Sequence, residues 1–259
     1  MKKITLITGA SSGLGKEYAI QYAKAKQDLY LIARRIDRLS ELKDQLEKQY
    51  GIRVLIKQVD LSDQAQLEAF ITNLDPDYFI NRLINNAGFG YHGAFETTAD
   101  QTLYGMIEVN ISALTRLCHA LIPMMKIHEE GEILNVASMA AYTPGPYMAQ
   151  YYATKAYVLS LSMALHEELK PYHIKVSALC PGPTHTEFGE AAQYSHEKGI
   201  QTVVAMEAAP VVTLSRLALE KNRSVAVPGL TNKVAHALLK VVPRQLSAMI
   251  VKSIQKQRL

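Results

Sequence analysis

Tyr151 and Lys155 stand four residues apart in Tyr-Tyr-Ala-Thr-Lys, at the start of a helical pattern running to Leu169. That spacing puts both side chains on one helix face and points Tyr152 elsewhere. A phenol with an ordinary pKa of about 10 exchanges protons poorly at neutral pH, but a neighbouring ammonium favours the phenolate and lowers that value. Ser138 closes the apolar run EILNVAS, which would bring its hydroxyl to the carboxyl edge of a sheet, where ligands bind in open α/β folds. Gathered there, the three groups would polarise a carbonyl and trade a proton with its oxygen. Singly, each has a plainer explanation, since Tyr–Lys pairs at helical spacing are common and a serine at a strand end usually caps something. Their combination carries the argument.

A second constellation lies at the start of the chain. The run Thr8-Gly9-Ala10-Ser11-Ser12-Gly13-Leu14-Gly15 follows a short apolar segment and precedes a helix expected from near Lys16. Glycine there permits positive φ and a close backbone approach, and a helix N-terminus offers unpaired N–H groups to a pyrophosphate. The glycine spacing alone is weak; its placement at a strand-to-helix turn suits a dinucleotide. After the second strand such sites carry an acid for the ribose 2′-hydroxyl or an arginine for a 2′-phosphate. Here the strand ends Ala33-Arg34-Arg35, and no carboxylate follows until Asp37, expected to cap a helix from Arg38. Guanidinium groups grip a phosphate and cannot accept the hydroxyl's hydrogen bond. The reading is NADP(H) in preference to NAD(H), with Arg34 the closer contact.

These residues need a scaffold. Apolar runs at 4–8, 28–34, 54–60, 82–86, 132–138, 175–180 and 224–227 alternate with helical patterns such as Leu39, Leu42, Leu46 closing at Gly51. Strand and helix in alternation specify parallel pairing with right-handed crossovers. The expected fold is α/β: one Rossmann domain over residues 1–259, a seven-stranded doubly wound parallel sheet with helices on both faces. A substrate lid is expected over about 183–222, where Pro183, Gly189 and Gly199 interrupt the pattern. A chain with 48% hydrophobic and 20% charged residues has a substantial core, and its net charge of +4 is too small to imply nucleic acid. Cys118 and Cys180 sit in apolar stretches and read as buried thiols. The first apolar run is too short for a signal peptide or a membrane span, and a cytoplasmic protein is expected. The histidines, among them His119, His128, His166 and His173, show no ligand spacing, so no metal is expected.

Taken in order, these motifs resemble the short-chain dehydrogenase/reductase family from Thr8 to about Thr186. The resemblance rests on TGASSGLG, Asp60-Leu61, Asn85-Asn86-Ala87-Gly88, Val109-Asn110, Ser138, the Tyr151/Lys155 pair and Pro181-Gly182-Pro183-Thr184-His185-Thr186. It implies a catalytic group of Asn110, Ser138, Tyr151 and Lys155. It implies that Asp60 contacts the adenine, that Asn86 and Gly88 pack beside the adenosine, and that Thr186 holds the nicotinamide amide. Lys155 would also bind the nicotinamide ribose, and Asn110 would pass protons through a water to Lys155. The implied activity is reduction of a carbonyl, or oxidation of the matching alcohol, and members often form homodimers or homotetramers through the long helices around Asn110 and Tyr151.

Phe89, Tyr91, Met139, Tyr142, Tyr147, Met148, Phe188 and Met206 are expected on the substrate side, a wall suited to an apolar small molecule. The segment NNAGFGYHGAFE resembles the branch containing hydroxysteroid and long-chain acyl carbonyl reductases, which leaves a ketoacyl reductase as an alternative. A regulator that senses NADP without turnover is the rival from another class; such proteins typically lose the tyrosine or lysine that this chain keeps. Residues 230–259 carry Val234, Leu238 and Leu239 with Lys252, Lys256 and Arg258 beyond. This could be an amphipathic helix at a partner or membrane surface, although packing on its own domain is the first expectation.

Overall fold

The computed structural model describes residues 1–192 and 205–256. Seven parallel strands form one sheet in the order β3-β2-β1-β4-β5-β6-β7: β1 (Lys2–Thr8), β2 (Leu29–Ala33), β3 (Val54–Gln58), β4 (Tyr78–Asn85), β5 (Gly131–Val136), β6 (Ile174–Leu179) and β7 (Val225–Ala226). The expected doubly wound sheet is present, with boundaries shifted by a residue or two. The exception is β4, which starts four residues before the predicted run because Tyr78–Ile80 pairs with the start of β1 and Asn81 is passed over in a bulge. The polar Asn81 hides that extension in the sequence.

Nearly every residue of the central strands β1, β4 and β5 is buried because both faces of the sheet are covered. Along β1, Ile4 and Leu6 fall in one core cluster and Ile7 in the other; Leu83 and Ile84, then Ile133 and Leu134, divide the same way. This is the period-2 alternation of a strand read out as two hydrophobic layers. One layer is completed by α3 (Gln64–Thr72), α5 (Leu114–Ile127) and α6 (Ala149–Leu169), the other by α1 (Gly13–Lys24), α2 (Ile36–Tyr50) and a later helix, Ala208–Glu220.

That later helix corrects one expectation. It buries Val211, Val212 and Leu219 in the core, so the second half of the expected lid is a crossover helix packed on the sheet. The first half contains a bridge between Thr184 and Met206 and a short helix α7 (Phe188–Ala191), while residues 193–204 of it lie outside the described residues. We label Ala208–Glu220 α8; α4 (Asp100–Ile107) precedes α5, and α9 (Leu230–Val241) and α10 (Arg244–Lys256) follow β7. No helix among the described residues is long and apolar enough to cross a membrane.

Sheet order reverses at β1, whose neighbours are β2 and β4. Crossovers leave in opposite directions there, opening a crevice at the carboxyl ends of the strands. The predicted residues after β1, β2, β4, β5 and β6 all meet at that edge.

Candidate active site

The glycine turn connects β1 to α1, which begins at Gly13, earlier than expected. Gly9 and Gly13 take φ of +64° and +53°. A Cβ on Gly15 would lie 2.3 Å from the carbonyl oxygen of Gly9; only glycine lets α1 come so close to the turn. Asn86, after β4, donates from Nδ2 to the carbonyls of Thr8 and Gly9, and Thr8 Oγ1 accepts from the backbone N–H groups of Asn86 and Ala87. The turn is thereby locked to the neighbouring strand.

Arg35 lies over this turn. Its guanidinium donates to Ser11 Oγ and, at 2.8 Å, to Ser12 Oγ, while Ser12 N-caps α1 without using its side chain on the helix. Arg34 lines the same cleft but is exposed, so Arg35 is the more engaged arginine, contrary to the expected order. The helix after β2 begins at Ile36, which makes Arg35 its N-cap residue and places Asp37 in its first turn, correcting the expected cap. Sequence reasoning also missed Glu187 and Arg38. Glu187 reaches Arg35 at 2.9 Å and Arg38 at 2.7 Å, and these two cations hold its carboxyl below the usual carboxylate range, Arg35 foremost. Asp60 accepts at Oδ1 from the N–H and hydroxyl of Ser62, and with Leu61 it borders the cleft.

On the other side, Tyr151 and Lys155 project from the first turns of α6, both buried. Lys155 Nζ donates to the carbonyl of Val136 at 2.7 Å and lies 5.8 Å from the Tyr151 ring centre. Burial pushes the Lys155 ammonium down to about 8. Ser138 lies just past β5, which ends at Val136; it N-caps a 3-10 turn, Met139–Tyr142, and accepts from Ala140 N–H. Asn110 sits in a π-helical turn, Glu108–Ala113, between α4 and α5. Such a widened turn inside a helix is a frequent mark of a functional site. Its carboxamide is fully engaged: Nδ2 donates to Phe89 O and Thr154 Oγ1, and Oδ1 accepts from Phe89 N–H. Thr154, one residue before Lys155, was not foreseen; it also donates to Tyr151 O and so ties Asn110 to the helix that carries Tyr151 and Lys155. A Cβ on Gly88 would meet Asn110 Oδ1 at 3.0 Å and Lys155 Nζ at 3.3 Å, which explains a glycine where these groups converge.

The model of the short chain dehydrogenase family matches residues 3–198. The chain belongs to the short-chain dehydrogenase/reductase family. An NADP-dependent 3-hydroxy acid dehydrogenase of Schizosaccharomyces pombe is 34% identical over 72% of this chain and 73% of its own length. A very-long-chain 3-oxoacyl-CoA reductase of Laccaria bicolor is 30% identical over 67% of this chain but only 52% of its own, so the chain spans about half of that relative. Among solved structures, a short-chain dehydrogenase from Sphingobium yanoikuyae in complex with NADPH superposes with a TM-score of 0.83 at 33% identity, covering 94% of this chain and 96% of the other.

Within this family member, one cleft of about 1190 Å³ gathers the predicted residues. Gly9, Ser11, Ser12, Gly13, Leu14, Arg34, Arg35, Asp60, Leu61, Asn86, Ala87, Gly88, Ser138, Tyr151, Lys155, Pro181, Gly182, Thr184 and Thr186 all line it; Gly15 and Asn110 stand behind its wall. The positive-φ turn, the glycines with no room for a Cβ and the length of the cleft fit a nicotinamide dinucleotide.

The expected substrate wall is only partly right. Phe89, Met139 and Phe188 line the cleft, joined by Tyr152, Gln101 and Gly105. Tyr91 and Met148 pack in a small cluster with Tyr151, Tyr142 lies against His236 and Cys180, Met206 sits near Gly229 and Asn232, and Tyr147 does not border the cleft. The unforeseen member is Gln255. It comes from α10, is 4% exposed, donates weakly to Tyr152 Oη, and leaves Oε1 buried with no hydrogen-bond partner. No local motif announces it, because its meaning depends on where a helix over a hundred residues from Tyr152 docks.

Proposed function

We propose that this chain is an NADP(H)-preferring oxidoreductase that reduces an apolar carbonyl compound to the alcohol. The observation that carries the reading is the convergence of Tyr151, Lys155 and Ser138 on the cleft that also holds the glycine turn. When bound, the dinucleotide supplies the hydride. Ser11, Ser12 and Arg35, with Arg34 and Arg38 beside them, would hold a 2′-phosphate, displacing Glu187 from the guanidinium groups. Asp60 and Leu61 would border the adenine, Asn86, Ala87 and Gly88 the adenosine, and Pro181, Gly182, Thr184 and Thr186 the nicotinamide, while Lys155 would also bind its ribose.

Ser138 Oγ and Tyr151 Oη donate hydrogen bonds to the substrate carbonyl oxygen and orient the carbonyl carbon for attack. Tyr151 gives its proton to that oxygen as it becomes an alkoxide. The Lys155 ammonium stabilises the phenolate left behind. Asn110 holds Phe89 and Thr154 in place, and proton passage to Lys155 runs through water at its main chain, since its carboxamide is already committed. Phe89, Met139 and Phe188 give the substrate an apolar berth, and the similarity to a 3-oxoacyl-CoA reductase favours an extended ketone. We assign the exposed Tyr104 of α4 with Tyr157 and Met163 of α6 to the face through which a homodimer or homotetramer would form.

Tyr151→Phe tests the assignment. Removing the hydroxyl that delivers the proton lowers NADPH-dependent ketone reduction by about a thousandfold while leaving NADPH binding, followed by fluorescence, close to wild type. Turnover that survives the substitution would overturn the mechanism.

A further inference from the structure

The last two helices are packed inside out. In α8 Val211, Val212, Ala218 and Leu219 face the sheet, as expected of a surface helix, with Leu214 and Leu217 exposed. In α9 the only buried residue is Asn232, and in α10 the buried residues are Ser247 and Gln255. Their buried side chains are polar: Asn232 donates to Pro228 O at the start of its own helix, Ser247 meets Thr143 Oγ1 at 2.7 Å, and Gln255 O faces His92 Nε2, while the His236 ring lies against Tyr142. The apolar stripes point outward, with Leu230 78% and Val241 77% exposed on α9 and Met249 67% and Ile250 52% exposed on α10.

A large exposed apolar stripe calls for an occupant, and charge decides which. From Leu230 to Lys256 the chain has no Asp or Glu, whereas Lys233, Lys240, Arg244, Lys252 and Lys256 are all exposed. Lys233 and Lys240 lie to one side of the stripe of Leu230, Val234, Leu238 and Val241, and Lys256 holds a similar relation to Leu246, Ile250 and Ile254, with Lys252 further round the helix. A second copy presenting the same face in an isologous dimer would set these cations against their equivalents with no carboxylate between them. An anionic lipid surface satisfies both features: apolar side chains enter the acyl boundary, and lysines at the flank reach the headgroups.

We propose that α9 and α10 dock this protein onto anionic phospholipid bilayers, lying in the interface without crossing it. Docking there places α10 at the membrane, and the same helix supplies Gln255 to the cleft wall, so an apolar substrate could pass from bilayer to site along one element. The proposal concerns binding alone and stands apart from the catalytic assignment.

The test is co-sedimentation of the full chain with vesicles of phosphatidylcholine alone and of phosphatidylcholine with phosphatidylglycerol, beside the double variant Leu238→Glu/Ile250→Glu. Both positions are exposed, so the fold should tolerate the change, and retained NADPH binding and circular dichroism check that it does. We expect binding to the anionic vesicles that weakens with added salt and falls about tenfold or more in the variant. Failure to bind either vesicle overturns the proposal, as does equal binding to both. Self-association of the wild type that the double variant abolishes, without vesicle binding, overturns it in favour of a second copy.

Discussion

The two halves of the cleft are built by different means. The nucleotide half is made where strands end: residues just past β1, β2, β4, β5 and β6 converge because the sheet order reverses at β1, and neighbouring strands clamp each other, as Asn86 clamps the glycine turn. The half proposed for the substrate is assembled from elements remote in sequence, with Gln255 of α10 lining the same cleft as Phe89 and Phe188. One half follows from backbone geometry that a short motif can encode. The other depends on how peripheral helices dock, and there the chain has freedom to change what it recognises.

Substitutions on either side should therefore fail in different ways. The largest effect falls on the nucleotide half. Arg35→Ala removes the guanidinium that Ser11 and Ser12 hold, and should weaken NADPH binding roughly tenfold to a hundredfold, the range for a charge-assisted hydrogen bond, with little change for NADH. Equal losses for both cofactors in fluorescence titrations would show that Arg35 shapes the turn instead of reading a phosphate.

On the substrate half, Gln255→Leu should raise KM about fivefold to tenfold for substrates carrying a hydrogen-bond donor and leave kcat nearly constant. It also removes a buried oxygen without a partner, whose presence costs on the order of 1–3 kcal/mol, so the melting temperature should rise. A fall in both kcat and stability would mean that Gln255 is a structural strut.

Lys155 sits at the seam between the halves and gives a pH signature. Unfolded, its side chain keeps its proton to about 10.5; folded, burial releases it from about 8. Below about 8 the folded state bears the full cost of the buried ammonium, and between these values the unfolded chain binds more protons, so stability gains as pH rises. Lys155→Met should remove that gain, measured as the difference in melting temperature between wild type and variant across the window. A difference that stays constant with pH would contradict a depressed lysine.

The smallest expected effect is at Glu187, which pairs with Arg35 and Arg38 where a 2′-phosphate would bind. The carboxylate is about half exposed, so its pairing contributes under about 1 kcal/mol. Glu187→Gln should tighten NADPH binding by a few-fold at most and leave NADH unaffected; weaker NADPH binding in that variant would mean that Glu187 orients the arginines for the phosphate.

The same contrast explains what the sequence revealed. Strand runs are legible because burial on both faces gives each a short, largely apolar stretch, and the glycine turn, the Tyr151/Lys155 pair and Ser138 are legible because each is local and sits at a strand or helix end. Which of Arg34 and Arg35 bonds the glycine turn is not legible in the sequence, because side-chain directions at the end of β2 depend on where α2 starts, and that start lies two residues before the expected one. Tyr142 and Met148 were placed on the substrate wall by their chemistry alone; the 3-10 turn after Ser138 directs the first toward Cys180, and the second packs beneath Tyr151. Gln255 and the outward-facing stripes of α9 and α10 had no local signature, since amphipathic periodicity shows that a helix has two faces without saying which one meets the protein.

The most direct test of the central claim is NADPH oxidation by the purified chain against a panel of apolar ketones, aldehydes and diketones, run in parallel with NADH. Turnover of at least one extended ketone with NADPH is expected, with a markedly lower rate with NADH and loss of both rates in Tyr151→Phe. Tight NADPH binding without turnover of any carbonyl in the panel would contradict it and identify a protein that binds the dinucleotide for another purpose.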